Sequence, residues 1–175
     1  MLDKSFGDDL IPAYFFDRLT AITVDDLRAM GAKGVALDID NTTAVDSLYT
    51  VFDGVREWIR TAQDAGFKVM VLTNTWEKRA AIISAKLGGV PYISKAHKPS
   101  KEGFLRAAEY LGVELSELAM VGDQLFTDIR GANNAGAISV RVRPMHKEYL
   151  LPVHYVPLRH REHVFLRSKG FGDKI

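Results

Sequence analysis

The chain has 175 residues, 47% of them hydrophobic and 26% charged, which suits one domain able to bury a core. With no cysteine, disulfides, thiolate metal sites and a cysteine nucleophile are excluded. The net charge of +1 hides an asymmetry: Lys/Arg and Asp/Glu number 15 and 19 up to Val140, but 8 and 3 from Arg141 onward.

The N-terminal stretch "MLDKSFGDDLIPAYFFDRL" lacks a basic start followed by an apolar run, so it does not read as a secretory signal. No segment approaches the roughly 18 uninterrupted apolar residues of a membrane span. Leu10, Ile11, Tyr14, Phe15 and Phe16 cluster in this leader, suited either to packing on the domain or to contact with a membrane interface. A short helix is predicted near residues 23–30, with Thr23 as N-cap and Asp25 and Asp26 in its first turn.

Strand-like and helix-like segments then alternate, the pattern of an α/β fold with a mostly parallel sheet. "KGVALDI" (33–39), "FKVMVLTN" (67–74), "VPYIS" (90–94), "LAMVGD" (118–123) and "AISVRVRP" (137–144) read as five strands. Helical spacing predicts helices over 53–66, 76–89, 100–112 and 126–136 between them. The expected division is a leader with its helix over 1–32, a core over 33–144 and a basic tail over 145–175.

The polar residues concentrate where strands end. "VALDIDNTTAVD" runs an apolar strand into Asp38 and Asp40, one residue apart and on one face if the strand continues. Like charges so close need a cation, a proton or a basic neighbour. "TN", the approach to "KAHKP" and "GDQ" follow other strands, and sites of open α/β sheets lie outside the strands' carboxyl ends. In that setting Asp38 is a candidate nucleophile toward phosphorus and Asp40 a candidate general acid/base. Asp123 and Asp128 are candidate metal ligands with Asp38. Mg²⁺ is the expected ion, because it favours oxygen donors and offsets the charge of a phosphate approaching carboxylates. Thr73 offers a hydroxyl and Lys98 a positive charge to the phosphoryl group.

"DIDNT" (38–42), "LTN" (72–74), "KP" (98–99) and "GDQLFTD" (122–128) together resemble the four motifs of the haloacid dehalogenase (HAD) superfamily of phosphohydrolases. The resemblance implies a three-layer Rossmann-like fold with about five strands, a Mg²⁺-dependent phosphomonoester hydrolase and an aspartyl-phosphate intermediate on Asp38. It assigns Asp40 the proton transfers and its backbone carbonyl a place on the metal. Thr73, Asn74 and Lys98 would meet the phosphate, and Asp123 and Asp128 would complete the metal site. Thr43 departs from the family pattern, which has Leu or Val there, and is expected to alter packing beneath the loop. The 31 residues from Thr42 to Thr73 and the 25 from Thr73 to Lys98 leave no room for a folded cap, so the site should be open.

The leader together with "KVMVLTN" and "VGDQLFTDIRGANNAG" more narrowly resembles the capless subfamily III phosphatases of the YqeG and phosphatidylglycerophosphate phosphatase type. That implies phosphatidylglycerophosphate as leading substrate and a cytoplasmic protein, peripheral at the inner face of the membrane. A soluble, protein-borne or nucleic-acid phosphate is the alternative substrate, and a HAD scaffold binding RNA or a ribosome the alternative class. A phosphoacceptor receiver module would also place an aspartate on an α/β fold, but without a carboxylate like Asp40. The tail interleaves Tyr149, Leu150, Leu151, Tyr155, Phe165 and Phe171 with Arg159, Arg161, Arg167 and Lys169, a composition that suits an anionic bilayer and RNA equally. His146, His154, His160 and His163 lack acidic or cysteine partners at ligand spacing and do not read as a zinc site. His97 reads as a neighbour of Lys98 without a chemical role.

Overall fold

Continuous apolar runs such as "GVAL" suit strands covered on both faces, and a parallel sheet between two helical layers is where such strands belong. The computed structural model describes residues 7–45, 47–145 and 156–172. Its strands are β1 (Tyr14–Phe16), β2 (Gly34–Leu37), β3 (Lys68–Leu72), β4 (Tyr92–Ile93), β5 (Leu118–Gly122) and β6 (Ile138–Val142). They form a six-stranded sheet in the order β1-β6-β5-β2-β3-β4, every pair parallel.

The helices are α1 (Val24–Ala29), α2 (Val55–Asp64), α3 (Glu77–Lys86), α4 (Lys101–Leu111), α5 (Arg130–Ala135) and α6 (Val156–Ser168). Thr23 and Asp26 close a capping box on α1, each side chain accepting the other's backbone N–H. Alternation along β2 sends Val35 and Leu37 to one face, where they join Val55 and Ile59 of α2 and Ile83 of α3. Ala36 faces the other way with Met70, Met120 and Phe104, Ala107 and Leu111 of α4. The sheet thus lies between two helical layers, the α/β architecture expected. Among the described residues no folded insertion interrupts it.

Two segments differ from the sequence reading. The leader contributes a sixth strand: Tyr14, Phe15 and Phe16 pair with Val140, Arg141 and Val142. Leu10 is buried with Leu125, Ile129 and Leu166, so the leader packs on the domain, although Tyr14 stays 37% exposed. The second is the helix predicted over 126–136. It opens with a π-helical turn, Leu125–Ile129, before continuing as α5.

The C-terminal segment includes α6, whose Leu166 fills that same small cluster and whose neighbour Phe171 stacks on Phe15 with centroids 5.0 Å apart. His146, Tyr149, Leu150, Leu151, His154 and Tyr155 lie outside the described residues.

Candidate active site

The topology puts β2 between β5 and β3, so the residue after each strand converges on one point above the sheet. Asp38 follows β2, Thr73 follows β3, Asp123 follows β5, and Lys98 sits on the loop after β4. Four segments distant in sequence meet there.

Lys98 Nζ lies 2.8 Å from Asp38 Oδ1 and 2.7 Å from Asp128 Oδ1, and all three side chains are buried. Burial pushes the Asp38 carboxyl well above its ordinary range, with Lys98 pulling the other way and Asp128, Asp40 and Asp123 adding to the rise. Burial alone would lower the Lys98 ammonium, but Asp128 and Asp38 outweigh it and hold the group protonated. Burial likewise pushes Asp123 up to about 7, against the pull of Arg159. One ammonium shared between two buried carboxylates, with Asp123 alongside, gives the cluster excess negative charge once its carboxyls are ionised, which is why burial resists their ionisation.

Asp38, Asp123 and Asp128 each offer an oxygen, all within 4.8 Å of one another. Asp123 Oδ1 is buried and has no hydrogen-bond partner. Three converging carboxylates, excess negative charge and an orphaned oxygen fit a hard divalent cation. Asp40 stands outside this trio. Its carboxylate is gripped by Arg79 of α3, at 2.6 Å for Nη2–Oδ1 and 3.0 Å for Nη1–Oδ2, and accepts the Ser47 N–H.

The other site candidates have defined partners. Thr73 is buried, its hydroxyl accepting the Thr75 N–H at 3.2 Å and its own N–H committed to Ile93 O. Asn74 is exposed, but both ends of its amide clasp the Lys98 backbone: Nδ2 donates to Lys98 O at 2.9 Å and Oδ1 accepts Lys98 N–H at 2.7 Å. Asn74 therefore positions the Lys98 loop directly. Thr43 is more than packing, since its Oγ1 donates to the carbonyl oxygens of Asp38 and Ile39 and ties down the loop bearing both aspartates. His97 is exposed beside Lys98.

Three buried neighbours of the candidate residues escape the sequence reading. Arg79 draws no reading of its own within the helix predicted over 76–89, yet it is buried against Asp40. Arg159 reads as one cation of a tail suited to an anionic bilayer or RNA, and Glu162 draws no reading, yet both are buried, with Arg159 paired to Asp123 Oδ2 and to Glu162. Their spacing of three, followed by Leu166, is the helical signal that could have marked an inward face.

The fold and site are those of an α/β protein with a parallel sheet and a buried aspartate cluster at its strand ends. Comparison with known proteins gives the family. The sequence profile of the haloacid dehalogenase-like hydrolases matches residues 12–136, and the chain belongs to that family. It is 32% identical over 145 residues to the probable phosphatase YqeG of Bacillus subtilis, covering 83% of this chain and 81% of that one. Phosphatidylglycerophosphate phosphatase 1 of Chlamydomonas reinhardtii is 29% identical over 128 residues, covering 68% of this chain and 47% of its own. Among solved structures, the cobalt-bound deoxy-D-mannose-octulosonate 8-phosphate phosphatase of Haemophilus influenzae superposes with a TM-score of 0.51 at 18% identity, covering 83% of this chain and 93% of that one. That likeness is one of fold. With the motifs and the relatives, the chain is a phosphatase of the HAD type.

Proposed function

We propose that this chain is a Mg²⁺-dependent phosphomonoester hydrolase working through an aspartyl-phosphate on Asp38, with phosphatidylglycerophosphate as leading substrate. The observation that carries the reading is the buried Asp38–Lys98–Asp128 arrangement beside Asp123. An Asp38 oxygen attacks phosphorus as the bond to the leaving oxygen breaks, and Asp40 gives that oxygen its proton. Asp40 then takes a proton from water, which attacks the phosphoenzyme, frees inorganic phosphate and restores Asp38. Lys98 offsets charge on the transferring group, and the Thr73 hydroxyl lies at the adjacent strand end to orient it.

Asp38, Asp123 and Asp128 would hold the cation, with the Asp40 carbonyl as the family resemblance implies. The ion supplies charge neutralisation between phosphate and carboxylates. Asn74 serves the phosphate site through the Lys98 backbone that it clasps.

The lipid reading is supported by similarity to phosphatidylglycerophosphate phosphatases of Chlamydomonas reinhardtii and Arabidopsis thaliana, the latter 28% identical over 153 residues. No helix among the described residues is long and apolar enough to cross a membrane. Contact with a lipid substrate then calls for a cytoplasmic protein docking peripherally on an anionic inner face. Leu48, Tyr49 and Trp76 are exposed on segments adjoining Asp40 and Thr73, and the basic tail adds charge attraction. A soluble phosphomonoester is the second reading, favoured by 35% identity over 96 residues to glyceraldehyde 3-phosphate phosphatase of Methanopyrus kandleri.

The test is phosphate release from phosphatidylglycerophosphate in detergent micelles, beside a soluble phosphomonoester, with and without Mg²⁺. Asp38→Asn should lower turnover by several powers of ten, on the order expected when a nucleophile acting within a unit is lost. Asp38-dependent cleavage of the soluble ester alone would keep the chemistry and reject the lipid.

A further inference from the structure

The tail helix α6 reaches into the site. Arg159, Glu162 and Leu166 fall at i, i+3 and i+7, one helical face, and are 3%, 0% and 0% exposed. Leu166 anchors that face against Leu10, Leu125 and Ile129. Arg159 then divides its guanidinium between two partners. Nη2 donates to Asp123 Oδ2, while Nη1 donates to Glu162 Oε2 at 2.8 Å and to the Asp123 carbonyl at 3.3 Å. Glu162 is itself fixed, its Oε1 accepting the Leu125 N–H at 2.7 Å at the start of the π-helical turn that carries Asp128.

The consequence falls on Asp123. With Oδ2 tied to Arg159, the carboxylate cannot rotate freely, and Oδ1 is the oxygen left to the Asp38–Asp123–Asp128 cluster. A removable plug over the site would need to withdraw at low cost. Here withdrawal of Arg159 would take the direct ion pair from the buried carboxylates of Asp123 and Glu162, with the buried Arg141 charge left beside them, so the geometry describes a fixed prop.

We propose that α6 is a working part of the cation site: Arg159 is a positioning residue that orients Asp123, and Glu162 holds Arg159 in place. This rests on the reading that Asp38, Asp123 and Asp128 bind a divalent ion. Outer partners of metal-ligating carboxylates typically set affinity by about 10- to 100-fold.

The experiment uses Mn²⁺ as probe on the full chain, with affinity by calorimetry and the bound-ion spectrum by electron paramagnetic resonance. Wild type, Asp123→Asn, Arg159→Met, Arg159→Lys and Glu162→Gln are compared at one pH, with folding checked by circular dichroism. Arg159→Met should weaken Mn²⁺ at least tenfold and alter the spectrum while the chain stays folded, and Arg159→Lys should recover part of the loss. A folded Arg159→Met with wild-type affinity overturns the proposal, and tighter binding overturns it in favour of a competing cation. If Arg159→Met does not fold, Glu162→Gln decides: weakening of a few-fold supports the proposal and no change overturns it. Wild-type binding that survives Asp123→Asn removes the cation-site reading itself, and the proposal with it, before Arg159 is considered.

Discussion

Arg79 and Asp40 form a forked ion pair across 39 residues of chain, two guanidinium nitrogens meeting two carboxylate oxygens at 2.6 and 3.0 Å. The same guanidinium donates to Leu48 O from Nε at 3.2 Å and from Nη2 at 2.9 Å. Arg79 thus fixes the proposed acid/base carboxylate and the backbone at Leu48 in one grip. Arg79→Met should slow phosphate release by about 10- to 100-fold through misplacement of Asp40. It should also cost about 1–3 kcal/mol of stability through the loss of charge-assisted hydrogen bonds to part-buried acceptors. Arg79→Lys should recover little, because an ammonium cannot reproduce the fork. Steady-state kinetics beside urea unfolding reads both effects, and wild-type turnover in a folded Arg79→Met would remove Arg79 from the site.

Lys98 is the sole cation bonded to both Asp38 and Asp128 among the described residues. Lys98→Met leaves those carboxylates buried without it and should destabilise the chain by roughly 3–5 kcal/mol in chelator. Mg²⁺ should return part of that loss by replacing some of the missing positive charge. Urea unfolding with and without Mg²⁺ measures both, and a loss indifferent to Mg²⁺ would count against a cation at this cluster.

Gly122 ends β5 under Asp128, and a Cβ there would overlap the Asp128 carboxylate. The carboxylate cannot simply step aside, being bonded to Lys98 and to the Gln124 N–H. Gly122→Ala should therefore displace Asp128, weakening cation binding and turnover by tenfold or more, on the order of a lost supporting contact. Titration with Mn²⁺ beside a thermal melt separates this from general unfolding.

Burial holds Asp123 near 7, whereas an unfolded aspartate ionises near 3.8. The native chain therefore binds this proton more tightly than the unfolded chain does. Its contribution favours folding below the lower value and is lost as pH rises toward the upper one. A divalent ion needs ionised carboxylates, so its apparent affinity should climb with pH from roughly 5 to 7 as Asp123 gives up its proton, with the raised Asp38 adding to the rise. Melting curves across that range, with Mg²⁺ or chelator, should show a cation-induced shift that grows with pH. A shift constant from pH 5 to 8 would contradict this assignment.

Strands β2, β3, β5 and β6 were legible as apolar runs, and with them the convergence of Asp38, Thr73, Lys98 and Asp123, because a parallel sheet leaves its loops few places to go. Strand β1 was not. Three residues, Tyr14 to Phe16, are too few to show a period, and an aromatic cluster near a terminus looks the same whether it packs or stays exposed. Arg79, Arg159 and Glu162 escaped for another reason. Apolar periodicity registers burial only when the buried group is apolar, and a charge goes inside when its partner, here Asp40 or Asp123, comes from elsewhere in the chain.

The pairing of β1 with β6 has a consequence for how the chain matures. Tyr14 meets Val140, so the sheet joins two strands separated by almost all of its other elements. During synthesis the leader must wait, its aromatic side chains without their partner strand, until β6 has emerged. The central strands can assemble beforehand, but the Tyr14 edge closes only once β6 is available. The ordering cost of so long a loop then falls on edge closure, and until it happens the unpaired edge of β6 is open to capture by a chaperone or by another unfinished chain.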